Sequence, residues 1–412
     1  MEFIADFHIH SKYSRATSRN MDIRHIAEWA KLKGITLMGT GDFTHHLWLE
    51  ELKHSLEDLG NGLFKYNDVY FVLTTEVSSI YSKRGKTYRI HNMVFSPSFK
   101  TTDKINEKLS RLGNLASDGR PILGLDAAEL ARIIFDIDEN CMIVPGHIWT
   151  PWFSLFGSMS GFDKIEHCFE EQTPKIFALE TGLSSDPGMN WRLSALDKFS
   201  LISNSDSHSP QKIGREANVF DCELDYKTIR EVLKTKDKKR FLCTIEFFPE
   251  EGKYHFDGHR LCKIRLSPKE TKQINGRCPK CGKPVTVGVM NRVEQLADRP
   301  EGYLPSGAIP FKNLIPLDEI IAETKGVGKS SQAVEREYRQ VVAKFGTEFE
   351  ILLRASKEYL LRGLPSRVAE GVLRVRERKV NIKAGFDGEY GIISIFGEGE
   401  SSEKSEQQLS LF

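Results

Sequence analysis

The feature that most constrains the fold is an alternation of short apolar runs and helical segments over residues 1–248. Residues 2–5 and 35–38 are apolar runs of strand length, whereas Ile23–Lys33 and Ala127–Phe135 have the apolar spacing of amphipathic helices. Repeated strand–helix units of this size predict a parallel sheet or barrel. The predicted fold class is therefore α/β.

Histidines and acidic residues end these apolar runs or lie within them. His8 and His10 follow the first run, and residues two apart in an extended chain point to the same face. Taken singly, each residue has an ordinary structural interpretation, such as a helix N-cap for Asp42 or Asp206. Together, at one end of one sheet, imidazoles and carboxylates indicate a site for Zn²⁺, Mn²⁺ or Fe²⁺ rather than Ca²⁺. The candidate metal ligands are His8, His10, Asp42, His45, Glu76, His91, His147, Asp206 and His208.

The order of these residues resembles the successive motifs of the PHP (polymerase and histidinol phosphatase) domain family over about the first 240 residues. The resemblance implies a distorted (βα)7 barrel that holds two or three metals and hydrolyses phosphate esters. Asp42 departs from the pattern because Phe43, not histidine, follows it, and His45 comes two residues later. A third histidine shortly after His10 is also missing, since residues 14–16 are Ser, Arg and Ala. These departures concern the residues that would bind the third metal more than those that would bind the first two.

The ligand types suggest how such a site would act. A carboxylate such as Glu76 can bridge two cations at roughly 3.5–4 Å separation, as two-metal hydrolysis requires. We expect Glu76, His147 and Asp206 to be catalytic, and the firmest ligands also include His8, His10 and His91. Asp42, His45 and His208 would complete a third site. The expected catalytic cofactors are two or three divalent metals, Zn²⁺, Mn²⁺ or Mg²⁺.

A second metal site is indicated by two short ligand pairs. His259 and Cys262 form one pair, and Cys278 and Cys281 form the other, with fifteen residues between the pairs. This spacing is typical of a zinc ribbon with a closed, structural Zn²⁺ site. His255 is an alternative fourth ligand.

Composition places the chain in a reducing compartment. It has seven cysteines in 412 residues, an odd number with one close cysteine pair, which argues against a disulfide framework. No leader or membrane-length apolar run is evident, so we expect a cytoplasmic, nucleoid-associated protein. The formal net charge of +1 does not by itself favour or exclude nucleic acid.

The predicted domains are 1–248 for the metal-dependent phosphoesterase barrel, 249–292 for the ribbon and 293–396 for a mostly helical DNA-binding domain. The arginines between 367 and 378 could contact a nucleic-acid backbone or form a solvated helix face. The same alternatives apply to the basic run 234–240. The aromatic residues Trp149, Trp152 and Phe153 could stack on a base or fold onto the barrel.

The segment 397–412 is predicted to be a flexible tail. It carries an apolar cluster that resembles the pentapeptide by which partners bind the bacterial sliding clamp, and such a cluster suits a partner's groove. Its residues are Gln408, Leu409, Ser410, Leu411 and Phe412.

Taken whole, the chain resembles the endonuclease Q family, in a bacterial form with a clamp-binding peptide. The ribbon segment 254–260 and the Leu-Ala-Asp-Arg-Pro-Glu-Gly element at 296–302 carry this resemblance beyond the barrel. It implies a DNA repair endonuclease that nicks 5′ to uracil, hypoxanthine, xanthine or abasic sites, leaving 3′ hydroxyl and 5′ phosphate ends. Its expected partners are damaged DNA and the sliding clamp, with no membrane. The alternatives are a phosphomonoesterase of the histidinol-phosphatase type and a catalytically silent DNA scaffold.

Overall fold

The computed structural model describes residues 1–397 as a mixed α/β protein. The predicted α/β class is confirmed at this level. The clamp-like peptide and nearly all of the predicted tail lie outside the described residues. Within them, no helix is both long and apolar enough to cross a membrane.

The strands are short except for one long hairpin. They are β1 Glu2–Asp6, β2 Leu37–Gly39, β3 Glu57–Asp58, β4 Phe64–Tyr66, β5 Val69–Lys83, β6 Lys86–Ser96, β7 Ile122–Leu123, β8 Met142–Pro145, β9 Ala178–Glu180, β10 Ser200–Ile202, β11 Ala217–Asp221, β12 Phe241–Glu246, β13 Asp257–His259, β14 Ile264–Leu266, β15 Phe311–Asn313, β16 Asn381–Lys383 and β17 Ile392–Ser394.

The helices lie between these strands and dominate the C-terminal third. They are α1 Ile23–Lys33, α2 His46–Ser55, α3 Phe99–Ser110, α4 Ala127–Ile137, α5 Ile165–Phe169, α6 Pro187–Asn190, α7 Tyr226–Thr235, α8 Pro268–Gln273, α9 Val289–Leu296, α10 Leu317–Lys325, α11 Gln332–Phe345, α12 Lys357–Gly363 and α13 Ser366–Arg376.

The main sheet is mixed rather than parallel throughout. Its path runs β15-β12-β11-β1-β2-β5-β4-β3, with β6 and β7 paired to β5 and with β8 paired to β6. β1 is parallel to β2 and antiparallel to β11, which is antiparallel to β12. The parallel pair β9–β10 is tied to this sheet on both sides. Ile148 N donates to Glu180 O, and Ser203 N donates to Asn218 Oδ1.

Helix α1 begins and ends where the sequence predicts. The Asp22 side chain caps its first turn by accepting from His25 N. Gly34, at φ 85°, ends it in the left-handed conformation that favours glycine. These local signals depend only on neighbouring residues.

Strands β5 and β6 form a long hairpin, and Glu76 lies within β5 rather than at its end. β5 continues to Lys83, and Glu76 lies opposite Met93 in an antiparallel register. His91 pairs with Ser78 on the same hairpin, so Glu76 and His91 approach each other from adjacent strands. The pairing with β6 extends the strand past the charged residue.

The C-terminal helices pack directly on the N-terminal part of the chain. Lys33 and Glu348 form a buried ion pair at 2.9 Å, with side chains 3% and 4% exposed. Glu348 also accepts from Tyr338 Oη at 2.7 Å and Leu317 N at 3.0 Å. A π-helix at Glu350–Arg354 precedes α12.

The segment 293–396 also supplies a strand to the main sheet. β15 pairs in parallel with β12, with Thr244 opposite Phe311. The glycine-rich residues 326–330 follow helix α10 rather than a strand, so they lack the setting of a phosphate-binding loop.

Candidate metal centre

Three sets of ligand atoms meet beside the C-terminal ends of β1 and β8. Within each set the atoms lie within 4.8 Å of one another. Two residues, His10 and Glu76, each belong to two sets, so the three positions adjoin. The sets are His8, His10 and Glu76; Glu76, His91 and His147; and His10, Asp206 and His208.

Glu76 occupies the middle of this cluster. Its Oε1 lies 2.6 Å from His91 Nδ1 and 3.2 Å from His147 Nε2. Its Oε2 lies 3.3 Å from His10 Nε2 and 3.7 Å from His8 Nε2. One oxygen therefore faces each imidazole pair, which is the arrangement that a bridging carboxylate requires.

Three of the imidazole rings are oriented by oxygen atoms that contact Nδ1, the ring nitrogen that faces away from the cluster. His8 Nδ1 lies 3.0 Å from Glu180 Oε1, His10 Nδ1 lies 3.0 Å from Asp42 Oδ1, and His147 Nδ1 lies 3.1 Å from Thr150 Oγ1. Such contacts set the tautomer of a ligating histidine and leave Nε2 free for a metal.

The buried ring nitrogens fit a cation. His8 Nε2, His10 Nε2 and Asp206 Oδ1 are buried and make no hydrogen bond within the described chain. His10 Nε2 and Asp206 Oδ1 lie 3.1 Å apart, close enough to share one ion. Because buried polar atoms in proteins are almost always paired, these three atoms match the needs of a metal.

Two of the ligand residues have backbone conformations that residues other than glycine seldom adopt. His147 has φ 27° and Asp206 has φ 46°. Such strain costs about 1–3 kcal/mol and persists where function or packing demands it. In these conformations, both side chains point into the cluster from loops that follow β8 and β10.

The electrostatics of the cluster favour positive charge. Burial opposes charging of His8 and His10, yet nearby carboxylates outweigh it and raise the pKa of both rings well above the usual value. Against the same burial, imidazoles and Arg120 hold the pKa of Glu76 well below its usual range. Burial lowers the pKa of His91 to about 4, so this ring stays neutral, the form that binds metals.

Asp42 and His45 have other contacts than those predicted for a third metal. Neither belongs to the ligand sets found in the described chain. Asp42 Oδ1 holds His10, and its Oδ2 accepts from Ser11 N, Ser11 Oγ and Ser14 Oγ. His45 occupies the N-cap position of α2 without a side-chain hydrogen bond to the helix, and its ring stacks on Tyr13 at 4.5 Å between centroids. The third set contains His208, which was also predicted for the third site, together with His10 and Asp206.

Glu180 and Arg120 were not among the predicted site residues. Glu180 accepts from His147 N at 2.7 Å and from Asn204 Nδ2 at 2.9 Å, in addition to its contact with His8. In the sequence, Glu180 could have been selected because it is an acidic residue at the end of an apolar run. Arg120 lies 3.1 Å from Glu76, and it follows no strand or motif that marks it.

A pair of buried glutamates lies behind Glu180. Glu246 Oε2 accepts from Thr181 Oγ1 and Ser203 Oγ, each at 3.1 Å. Glu216 Oε2 has no partner in the described chain. Burial, with the mutual repulsion of the two carboxylates, raises the pKa of Glu216 well above its usual value, and burial raises that of Glu246 to about 8.

The four predicted ribbon ligands also meet. His259, Cys262, Cys278 and Cys281 place one ligand atom each within 4.8 Å of the others. The hairpin β13–β14 carries the first pair, and a tight turn carries the second. His255 is buried elsewhere and is not part of this group.

The predicted contact residues have partly structural roles. Trp149 is fully buried and donates to Asn190 Oδ1, whereas Trp152 is partly exposed and packs against Tyr254. Arg376 donates to three carbonyl groups of residues 351–355 and so stabilises the π-helix Glu350–Arg354. Lys236, in the basic run 234–240, donates to Asp197 O.

The fold and the adjoining ligand sets define an α/β protein with a candidate site for divalent cations. A family model, the MJ0043 C-terminal domain, matches residues 316–379. The uncharacterized protein MJ0043 of Methanocaldococcus jannaschii is 34% identical over 267 residues, which cover 62% of this chain but only 33% of that protein. The uncharacterized protein YqxK of Bacillus subtilis is 29% identical over 408 residues, covering 94% and 98%.

Two solved structures match nearly the whole chain. The lesion-specific endonuclease PfuEndoQ from Pyrococcus furiosus has a TM-score of 0.86 and 33% identity, covering 96% of this chain and 95% of that one. Endonuclease Q in complex with a 27-mer duplex substrate that has an abasic lesion at the active site has a TM-score of 0.85 and 32% identity, covering 99% and 100%. The chain belongs to the endonuclease Q family, and the prediction of an enzyme is confirmed.

Proposed function

We propose that this protein is a DNA repair endonuclease that hydrolyses the phosphodiester bond 5′ to deaminated bases and abasic sites. The bases are uracil, hypoxanthine and xanthine, and the products carry a 3′ hydroxyl and a 5′ phosphate. The observation that carries the proposal is the convergence of the three ligand sets on a chain that matches endonuclease Q over nearly its full length. An intact cluster argues against a silent scaffold.

The chemistry follows from the donor sets. His8, His10, Glu76, His91, His147, Asp206 and His208 would hold two or three divalent metals, Zn²⁺, Mn²⁺ or Mg²⁺. Bound divalent metals lower the pKa of water and neutralise charge on a phosphate. Glu76 holds the two halves of the cluster together, and Glu180 and Asp42 keep the His8 and His10 rings in the ligating tautomer.

We further propose the following domain assignment. Residues 1–248 form a distorted (βα)7 PHP barrel, whose ring of strands is closed by the hydrogen bonds that tie β9–β10 to β8 and β11. Residues 249–292 form a zinc ribbon in which the four grouped ligands bind one structural Zn²⁺, since four protein ligands leave no open position. Residues 293–396 form the helical DNA-binding domain.

A cavity of about 530 Å³ between these parts suits a flipped base. Residues that follow β9 and β12 line it, and β12 runs in the same direction as β1 because both are antiparallel to β11. Phe256 and Phe311 line it, and so do His255 and Glu250, each with a buried polar atom that lacks a partner in the described chain. We propose that these groups hold the damaged base, which leaves the stack more easily than an intact one.

The tail completes the proposal. Residues 408–412 would bind the bacterial sliding clamp, because an apolar cluster after an acidic, glycine-rich segment fits a groove on a partner. Such tethering would keep the enzyme on DNA in the nucleoid.

The test is a nicking assay on a labelled duplex that contains one deoxyuridine or deoxyinosine, with an undamaged duplex alongside. We expect incision directly 5′ to the lesion with Mg²⁺ or Mn²⁺, and none with EDTA. No incision, together with turnover of a small phosphate monoester, would refute the repair function and favour the phosphomonoesterase alternative.

Two variants connect this activity with the cluster. Asp206→Asn removes a ligand charge, so nicking should be lost while binding to lesion DNA is retained. Asp68→Asn, at an exposed carboxylate paired with Lys31, is the matched control and should nick normally. Full nicking by Asp206→Asn would refute the assignment of the metal site.

A further inference from the structure

Arg120 is the one arginine of the described chain whose side chain bonds to Glu76. Its Nη1 donates to Glu76 Oε2 at 3.1 Å, on the side of Glu76 that faces His8 and His10. The charges of Glu76 and Asp206 raise the pKa of Arg120. A guanidinium ion therefore lies within the ligand cluster without being able to bind a metal.

The loop that carries Arg120 is held firmly in place. Asp118 Oδ1 accepts from Arg120 N at 3.2 Å, and Pro121 O accepts from Ser78 N of β5 at 3.0 Å. Gly119 packs so closely that a Cβ there would lie 2.3 Å from Asp42 Oδ2. The loop is thus locked between β5 and the Asp42 turn, and the position of Arg120 is preorganised.

Most of the hydrogen-bonding capacity of Arg120 is unused. Within the described residues, the Arg120 side chain makes one hydrogen bond, to Glu76. This bond uses one of the several N–H donors of the guanidinium group. The side chain is 28% exposed, so it reaches from the buried cluster to its open side. A planar fork of donors beside a metal site matches the oxygens of a phosphate group.

We propose that Arg120 binds a non-bridging oxygen of the scissile phosphate and stabilises the negative charge that grows there during hydrolysis. This inference rests on the proposed function. In the reaction, a water oxygen bonds to phosphorus, the P–O3′ bond breaks, and the 3′ oxygen leaves as a hydroxyl after taking a proton. Arg120 keeps its own protons throughout, and its contribution is electrostatic.

A purely structural role makes different predictions. If Arg120 served only to hold Glu76 in position, its removal would weaken metal binding, and excess metal would restore the rate. If Arg120 contacts the phosphate, the defect persists when the metal sites are saturated. The two roles also differ in their response to sulfur at a single phosphate oxygen.

The experiment compares Arg120→Ala and Arg120→Lys with the wild-type enzyme at saturating Mn²⁺, with metal content measured on each protein. We expect kcat to fall about 10²–10³-fold for Arg120→Ala, the usual loss for one charge-stabilising donor. Arg120→Lys keeps the charge but not the fork and should lie between. Arg132→Ala, at an exposed arginine on α4 that pairs with Glu129 and Asp136, is the control.

Substrates with a single phosphorothioate at the scissile position provide the second readout. In the wild type, one diastereomer should be slow because sulfur weakens the contact with Arg120, and Arg120→Ala should lose that extra effect. Added guanidinium, but not ammonium, should partly restore Arg120→Ala. Equal kcat for Arg120→Ala and wild type, recovery by metal alone, or an unchanged sulfur effect would each overturn the inference. Failure of the wild type to nick would instead refute the proposed function.

Discussion

Replacing Asp42 by Asn tests how the metal centre is built. Asp42 Oδ2 accepts from Ser11 N, Ser11 Oγ and Ser14 Oγ at 2.6–2.8 Å, whereas Oδ1 faces His10 Nδ1 at 3.0 Å. Asparagine has one oxygen, and the three donors hold it on the serine side. Its NH₂ group then points at His10 Nδ1. The ring must accept there and carry its proton on Nε2, which blocks the atom that faces the cluster.

The magnitude follows from the loss of this support. Outer partners of a ligating histidine are worth about 10–100-fold in metal affinity, which equals about 1.4–2.7 kcal/mol. If the amide turned the other way, Ser11 N would lose its buried acceptor at a cost of about 1–3 kcal/mol in folding free energy. Either orientation of the amide weakens the centre.

The assay is calorimetric titration of metal-free Asp42→Asn with Mn²⁺, beside nicking rates over the same concentrations. We expect weaker binding with the same number of ions at saturation, and nicking that recovers at high Mn²⁺. Asp22→Asn, in the Asp22–His25 pair at 2.9 Å outside the site, is the matched control. Unchanged affinity would refute the tautomer argument, and the loss of one ion at saturation would make Asp42 a ligand itself.

Two further predictions concern stability. Glu348→Ala leaves the buried Lys33 without its ion-pair partner, so urea denaturation should show a loss of about 3–5 kcal/mol in the free energy of unfolding. Lys31→Ala, at an exposed ion pair, should cost at most about 1 kcal/mol. Similar losses for the two variants would contradict the buried-pair argument. The pKa values of Glu216 and Glu246 are raised in the folded state, which therefore binds protons more tightly than the unfolded state. Their contribution to stability is complete below the ordinary glutamate pKa and is lost as the pH rises through the raised pKa values, which for Glu246 is about 8. In metal-free protein, Glu216→Gln should flatten the decline of the denaturation midpoint between pH 5 and 9, and an unchanged slope would refute this reasoning.

Local signals were enough to predict several elements. Helix α1 starts at the Asp22 cap and ends at Gly34 because both signals act within one turn. The grouping of His259, Cys262, Cys278 and Cys281 could be predicted because each pair lies within a few residues of chain and its spacing suits one ion. Residue type at the ends of apolar runs was also enough to select His8, His10, Glu76 and the other residues that the structure groups.

Tertiary structure decided which side chain does what. Asp42 meets His10 and Glu180 meets His8 across gaps of 32 and 172 residues, and nothing in the neighbouring sequence distinguishes a metal ligand from the residue that orients one. Arg120 reaches Glu76 from a loop that carries no motif. β15 joins the sheet from the C-terminal third through pairing with β12. The physical reason is range, because caps and ligand spacings act between near neighbours, whereas orientation, burial and charge at the centre depend on segments that only folding brings together.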